Sequence, residues 1–338
     1  MKKIIPLALA SLLFVLCVSG VAVNTAFAAK KPEILLSAAD IGAEDHVYTV
    51  GLRMLDKKLR EKSNGRIGLN VFPNAVLGAE REAMEGTMMG SINMTLATAD
   101  GVVPSWVADT AVLSIPYLLT KREDAHNVLD NFLLAKLQPE YNKHNLYCLG
   151  YAELGFRHFT NNKRPVKSAA DMDGLLIRVQ ESAVWFALCN ALKAQATPIA
   201  INELYTALQQ GIVDGQENPL GTIVTAKFNE VQKYLTLDGH TYGAGSLFIN
   251  LDRWNAFSDE DRALIQACVN EMIPEQRAYV AQKEAEFLKA LLEAGMIVEQ
   301  TPDIDSFVRA TAAIGDQDDI KALFKNPGII REIKEFLQ

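Results

Sequence analysis

The spacing of hydrophobic residues changes repeatedly between helical and strand periodicity in the first third of the chain. From His46 to Lys62, apolar residues recur every three or four positions, and this pattern predicts an amphipathic helix. Hydrophobic residues then alternate from Ile67 to Val71, as in a half-buried strand. Glu80–Met89 predicts a second helix, and Ile92–Leu96 predicts the next strand. Such β-α-β alternation is typical of an α/β fold with a largely parallel sheet.

A second set of strands and helices follows in the middle of the chain. Leu175–Val179 and Ala196–Ala200 are short apolar runs of the kind that form buried strands, and the helical pattern Ser182–Lys193 separates them. Asn202–Gln210 predicts a further helix, after which a short strand is expected around Val213. The sequence therefore predicts two α/β units, and the chain is long enough for each to have its own core.

The last third of the chain contains an unusually long helical pattern. It begins at Ser258, a residue type that favours helix N-caps, and continues to Ala294, with Pro274 predicting a kink. A helix of about 35 residues is roughly 50 Å long, which exceeds the diameter of one small domain. We therefore expect this helix to cross both units as a strut.

No linker rich in proline, glycine or serine separates the two units. We therefore expect the chain to cross between them more than once, in a clamshell of two α/β lobes that close by hinge motion. The first lobe is predicted to contain residues 29–153 and 240–280. The second lobe is predicted to contain residues 154–239 and 281–338.

The N-terminal residues predict an export signal. Lys2 and Lys3 precede the apolar run Ile4–Val18, and small residues lead to Ala26-Phe27-Ala28, which has the A-x-A pattern of a cleavage site. The apolar run is too short for a permanent membrane span. We expect a cleaved signal peptide, residues 1–28, and a mature protein in the periplasm.

Composition and motifs exclude several classes of function. The 338 residues have a net charge of −8, and removal of the predicted signal, which contains lysines and no acids, makes the charge more negative. Nucleic acid and anionic lipid are not expected partners, since both bind basic surfaces. No nucleotide-binding, hydrolase or metalloprotease motif occurs, so the sequence predicts no enzyme, cofactor or metal site. The cysteines that remain could form one disulfide or stay as buried thiols: Cys148, Cys189 and Cys268.

Four stretches resemble, in order and spacing, the solute-binding proteins of TRAP transporters of the dicarboxylate-binding (DctP) type. These stretches are Asn64–Glu82, Gly155–Asn161, Asp171–Val179 and Ala207–Pro219. The resemblance covers essentially the whole mature chain and implies a periplasmic-binding-protein-like clamshell without enzymatic activity. It also implies that the protein delivers a small organic anion to a small and a large integral membrane subunit, driven by an ion gradient rather than by ATP.

The resemblance implies specific ligand contacts. Arg178, which ends an Asp-x-x-Gly-x-x-x-Arg strand, would bind the acid group, because a guanidinium meets two oxygens at once and stays charged when buried. A surface ion pair is the alternative interpretation. Arg157 would lie near the same anionic group, unless it is an exposed charge on an edge strand. Asn218 would also contact the ligand, although a turn before Pro219 would place an asparagine there as well.

Other candidates follow from the same resemblance. Glu80 and Arg81 fall at a helix start where relatives have polar contacts, although a solvated helical turn would look the same. Thr98 would face the cleft, and His240 would either reach the pocket or serve a structural role. Asp40 and His46 lie in the first strand-helix loop, another place where a ligand could be contacted. Trp185 and Trp254 would form part of the cleft wall unless they belong to the core.

Two departures from the family pattern narrow the expected ligand. Relatives that bind large sugar acids have an asparagine and an aromatic residue where this chain has Glu181 and Ile201. We therefore expect a small, singly charged acid, either a short hydroxy or keto carboxylate or a C2 sulfonate such as isethionate. A C4-dicarboxylate is the alternative ligand, although Glu181 would repel its second carboxylate. The alternative functions are a binding protein of an ABC importer or sensor kinase, and a periplasmic enzyme acting on a small acid.

Overall fold

A computed structural model describes residues 32–338, in which ten strands form one mixed sheet. The predicted signal peptide, residues 1–28, and its cleavage site lie outside the described residues. The strands are β1 (Ile34–Ala39), β2 (Ile67–Phe72), β3 (Met94–Thr98), β4 (Leu146–Asn161), β5 (Leu176–Val179), β6 (Gln195–Pro198), β7 (Gly215–Pro219), β8 (Tyr234–Thr236), β9 (Tyr242–Asn250) and β10 (Ile297–Glu299).

Twelve α-helices accompany the sheet in the described part of the chain. None of the helices in residues 32–338 combines the length and the apolar character that crossing a membrane requires. The helices are α1 (Val47–Lys62), α2 (Glu80–Met89), α3 (Arg122–Val128), α4 (Leu134–Lys143), α5 (Ala183–Ala191), α6 (Ile201–Gln209), α7 (Leu220–Thr225), α8 (Leu251–Asn255), α9 (Asp259–Glu293), α10 (Ile304–Thr311), α11 (Asp318–Lys321) and α12 (Ile329–Phe336).

The strand order shows how the two halves of the molecule are joined. Neighbouring strands follow the order β2-β1-β3-β9-β4-β7-β5-β6. On the flanks the pairs are parallel, β1 with β2 and β3, and β5 with β6 and β7. At the centre β9 is antiparallel to β3 and β4, and β4 is antiparallel to β7. The expected parallel pairing is therefore confirmed on the flanks and wrong at the centre. There the chain crosses from one flank to the other along β4 and returns along β9, so these two neighbouring strands run in opposite directions.

The long strand β4 is the main connection between the two flanks. It pairs with β9 as far as Phe156 and with β7 from Arg157 onward. The register with β9 shifts between Glu153 and Gly155, where Gly155 has a φ of 116°, a backbone conformation that favours glycine. This irregularity falls where the first predicted lobe ends. The division into residues 29–153 with 240–280 and 154–239 with 281–338 stays a prediction.

The long helix α9 confirms the strut that the sequence predicts. It contains 35 residues, and at its N-cap the Ser258 side chain accepts a hydrogen bond from the Asp261 backbone N–H. Along its length α9 packs against α1 and β4, and also against α7. It therefore contacts elements of both flanks, whereas the kink expected at Pro274 stays a prediction.

Most predicted elements of the two α/β units lie where periodicity places them. His46 is the N-cap of α1, and Gly90, with a φ of 81°, ends α2. The strand expected around Val213 is displaced, since β7 begins at Gly215. Val213 instead packs into a hydrophobic cluster with Leu208, in the turn that precedes the strand. The thiols left open by the sequence are free and buried: Cys148, Cys189 and Cys268.

Candidate functional site

A cavity of about 390 Å³ lies where the carboxyl ends of strands from both flanks meet. Residues at or just after the ends of β1, β2 and β3 line one side, and residues at or after the ends of β5, β6 and β7 line the other. Loops and helix starts converge at this edge of an α/β sheet, which makes it the usual place for a ligand. Of the residues singled out from the sequence, the cavity wall contains His46, Glu80, Arg81, Thr98, Arg178, Glu181, Ile201 and Asn218.

Arg178 is a buried cation in this wall. It is 4% exposed, and its Nε donates a hydrogen bond of 2.7 Å to the Ile199 carbonyl. No carboxylate in residues 32–338 lies within 4.0 Å of its guanidinium nitrogens. Burial lowers the pKa of Arg178 to about 10, and nearby Glu217 opposes this decrease, so the side chain is charged at neutral pH. A buried guanidinium that faces a cavity and has no carboxylate partner among the described residues is suited to bind an anion.

Arg157 lies behind the wall rather than in it. It is 1% exposed and forms a two-pronged ion pair with Glu217, with Nη2 at 2.8 Å from Oε1 and Nε in contact with Oε2. Its Nη2 also donates to Oδ1 of Asn218 at 3.0 Å. Asn218 lines the cavity, and its Nδ2 donates to Gln216 at 2.5 Å. Arg157 therefore orients Asn218 from behind the wall, and its expected contact with the ligand stays a prediction.

His240 belongs to the same buried network and does not line the cavity. Its Nδ1 lies 2.7 Å from Oδ2 of Asp238, and its Nε2 lies 3.4 Å from Oε2 of Glu217. Burial by itself lowers the pKa of His240, but the two carboxylates raise it to about 9. The imidazole is therefore charged at neutral pH. Its position favours the structural role that the sequence left open.

Loss of stability between pH 7 and 9 should report the titration of His240. The folded-state pKa of about 9 exceeds the ordinary value of 6.5, so the protonated side chain stabilises the fold fully below pH 6.5, and this contribution disappears as the pH rises through 9. Urea unfolding at a series of pH values should show a falling free energy of unfolding for the wild type and a flatter profile for His240→Gln. Parallel profiles would contradict this assignment.

Glu80 places in the cavity wall a carboxyl group whose pKa is close to neutral pH. Its Oε1 accepts a hydrogen bond of 2.6 Å from the backbone N–H of Thr98, which connects α2 to the end of β3. Burial raises the pKa of Glu80 to about 7, although the hydrogen bond from Thr98 opposes the increase. Near pH 7 the carboxyl group is therefore partly protonated and can either donate to a ligand or accept from it.

Arg81 and Glu181 form an ion pair across the cavity. Arg81 Nη2 lies 2.6 Å from Glu181 Oε2, and the two side chains are 37% and 44% exposed. Arg81 also lies over the Trp106 ring, with its Cζ atom 5.1 Å from the ring centroid. Because Arg81 balances the charge of Glu181, the pairing weakens the repulsion that Glu181 was expected to exert on a second carboxylate. Of the two arginines among the described cavity residues, Arg81 is therefore paired with a carboxylate and Arg178 is not.

The other candidates from the sequence lie outside the cavity wall. Asp40 is 2% exposed and accepts a hydrogen bond of 3.1 Å from the Gly42 N–H, so it shapes the loop after β1. Trp185 is fully buried under Arg157. Trp254 stacks on Tyr147 in a separate hydrophobic cluster, with ring centroids 4.8 Å apart. Both tryptophans therefore belong to the core, which the sequence offered as the alternative.

Sequence reasoning missed two buried polar residues of the wall, Tyr48 and Gln180. They are 1% and 9% exposed, and neither the Tyr48 hydroxyl nor the Gln180 Nε2 has a hydrogen-bond partner within residues 32–338. The position of Gln180 directly after β5 could have identified it, since residues that follow the strand ends of an α/β sheet line its ligand cavity. The helical pattern around Tyr48 indicates only burial, which a core residue would also show.

Among the described residues, the wall therefore offers one buried cation without a carboxylate partner, Arg178, surrounded by hydroxyl, amide and carboxyl groups. Such a set can hold the acid group of a small organic molecule and hydrogen bond to its remaining atoms. Within residues 32–338, histidine, cysteine and acidic side chains form no group of three placed to hold a metal ion.

Comparison with known proteins identifies the family of the chain. Residues 38–318 match the family described as bacterial extracellular solute-binding protein, family 7 (DctP). A solute-binding protein from Verminephrobacter eiseniae is 35% identical over 275 residues, which cover 81% of this chain and 82% of that protein.

Solved structures give the same result for the fold. A TRAP periplasmic solute-binding protein from Polaromonas sp. JS666, bound to D-erythronate, has a TM-score of 0.83 at 32% identity and covers 89% of this chain and 98% of its own. A second such protein, from Bordetella bronchiseptica with density assigned to pantoate, has a TM-score of 0.84 at 32% identity, with coverage of 90% and 99%. These matches confirm the two-lobed α/β architecture.

Proposed function

The chain belongs to bacterial extracellular solute-binding protein family 7, and on this basis we propose that it captures a small, singly charged hydroxy or keto acid whose anionic group Arg178 binds. The acid group is either a carboxylate or the sulfonate of a C2 acid such as isethionate. The observation that carries the proposal is the buried Arg178 guanidinium, which faces the cavity without a carboxylate partner in the described chain.

Proteins of this family are non-enzymatic binding components of TRAP transporters, and they bind small organic acids outside the cytoplasmic membrane. They work together with membrane subunits. We propose that this chain delivers its ligand to one small and one large integral subunit. Uptake of the acid by cells that contain both subunits should require this chain, and uptake without it would contradict the proposal.

The charges in the cavity wall support a ligand with one negative charge. Arg178 can neutralise one acid group, whereas Arg81 already pairs with Glu181 at 2.6 Å. A second carboxylate would have to break that pair or remain uncompensated, and an uncompensated charge in a closed site is costly. One of the two related structures contains D-erythronate and the other has density assigned to pantoate, and both molecules are singly charged hydroxy carboxylates. Both observations favour a monoanion over a C4-dicarboxylate.

The geometry also supports a capture mechanism by closure. In an open form the anion would reach Arg178 first, because this side chain supplies the unpaired positive charge among the described cavity residues. Closure would then bring residues after β1–β3 against those after β5–β7, and the closed form is favoured only by contacts that the ligand gains in it. Asn218, oriented from behind by Arg157, would supply an amide to the bound anion.

A thermal-shift and calorimetry panel tests the ligand class. Erythronate, 3-hydroxybutyrate, pyruvate, isethionate and succinate would be compared with the full mature chain, since a ligand that binds the folded state raises its melting temperature. We expect at least one hydroxy or keto monoanion to bind at least tenfold more tightly than succinate. Comparison of isethionate with the monocarboxylates identifies whether the acid group is a sulfonate or a carboxylate. Tight succinate binding with no heat from any monoanion would contradict the proposal.

A further inference from the structure

Gln180 is a buried polar side chain in the cavity wall whose hydrogen-bonding capacity is unused by the described residues. It is 9% exposed, it lines the cavity, and its Nε2 is buried without a partner in residues 32–338. Native proteins rarely leave a buried donor unpaired, because its lost hydration is not replaced. The missing partner is therefore to be sought in what the cavity holds.

Gly101 brings Gln180 close to Glu80. A Cβ atom at position 101 would lie 2.5 Å from the Gln180 Oε1 and 3.2 Å from the Glu80 Oε2. Any residue with a side chain would collide with the amide, so glycine lets both polar groups lie over the same stretch of backbone. The other Glu80 oxygen, Oε1, is already occupied by the Thr98 N–H. The Glu80 Oε2 and the Gln180 amide thus lie close together in the cavity wall, without a hydrogen bond between them.

The position of this pair relative to Arg178 suits one molecule that spans both. Arg178 lies on β5, which ends at Val179, and Gln180 is the first residue after that strand. Both line the cavity. Glu80 lines the same cavity and is close enough to Arg178 to act on its charge, so a short acid held by Arg178 can extend within this cavity to the amide and Glu80.

We propose that Gln180, together with Glu80, forms a subsite that recognises a hydroxyl group on the carbon chain of the acid, which makes Gln180 a specificity-determining residue. This inference rests on the proposed binding of a small acid at Arg178. A hydroxyl group has one donor and two acceptor positions. It can donate to the Glu80 carboxylate and accept from the Gln180 N–H, whereas an acid without the hydroxyl leaves the amide unpaired in the closed site. Sites built in this way discriminate strongly against the analogue that lacks the group.

The test compares hydroxylated acids with matched analogues, 3-hydroxybutyrate with butyrate and isethionate with ethanesulfonate, by calorimetry on the mature protein. The wild type should prefer the hydroxylated member of at least one pair by tenfold or more. Gln180→Met, which conserves volume, should reduce that preference to less than threefold by weakening the hydroxylated ligand and leaving the analogue unchanged. Gln180→Glu should weaken the hydroxylated ligand further, because a carboxylate cannot donate and adds negative charge.

Gln195→Met on β6 is the matched control, since Gln195 is exposed and lies outside the cavity wall, and it should retain the wild-type preference. Equal weakening of both ligands by Gln180→Met would assign Gln180 to packing and overturn the subsite. Equal affinity of the wild type for both members of every pair would do the same. Absence of binding for every acid would instead overturn the proposed function itself.

Discussion

Replacing Arg178 with alanine should weaken binding of the cognate acid by at least tenfold while leaving the melting temperature of the ligand-free protein within about 3 °C of wild type. A charge-assisted hydrogen bond contributes about 1.5–3 kcal/mol, which corresponds to roughly 10- to 150-fold in affinity. The fold itself should lose little, because burial disfavours the charged form of this side chain and no carboxylate of residues 32–338 pairs with it. Calorimetry and thermal unfolding of the same preparation measure both quantities.

Two further variants separate charge from geometry at this position. Arg178→Lys keeps a cation but not the planar fork, so it should recover only part of the affinity. Arg53→Ala removes an exposed arginine that pairs with Glu44 on the surface, and it should change neither affinity nor melting temperature. A large loss of ligand-free stability in Arg178→Ala, with unchanged affinity, would show that the arginine is structural and that the ligand binds elsewhere.

Glu217→Gln should produce the largest loss of stability among single changes near the cavity. Glu217 is fully buried between Arg157 and His240, and its pKa is held below the ordinary value by those cations against the effect of burial. Its loss leaves Arg157 buried without a carboxylate partner, and breaking a buried pair in this way costs about 3–5 kcal/mol. The melting temperature should therefore fall by about 10 °C. Thermal and urea unfolding without ligand are the measurements.

Arg157→Met is the informative partner of that experiment. It leaves Glu217 with a remaining cation, since the His240 Nε2 lies 3.4 Å away, so we expect a smaller loss of stability than for Glu217→Gln. It also removes the donor that holds Asn218 Oδ1 at 3.0 Å, so ligand affinity should fall although Arg157 does not line the cavity. Wild-type stability of Glu217→Gln would contradict this account of the buried network.

The periodicity of the sequence identified most of the elements that build the cavity. Helix α1 and the 35-residue helix α9 occur where apolar spacing and a serine N-cap predict them. Arg178 was also identified in advance, but through the resemblance of its motif to the DctP-type proteins rather than through periodicity. Local patterns of this kind depend on neighbours within a few residues, and the linear sequence contains them completely.

Long-range pairing decided which polar residues lie in the wall and which lie behind it. Arg157 and Arg178 look alike in the sequence, but within residues 32–338 only Arg157 meets a carboxylate, that of Glu217, 60 residues later in the chain. In the same way Glu181 is paired by Arg81, which is 100 residues away. Gln180 is unpaired for the complementary reason, since no described side chain reaches its Nε2. Side-chain pairing across the sheet depends on how distant segments of the chain pack. The sequence alone therefore determined the elements and the candidate residues. The tertiary structure decided which of those residues remain free to bind a ligand.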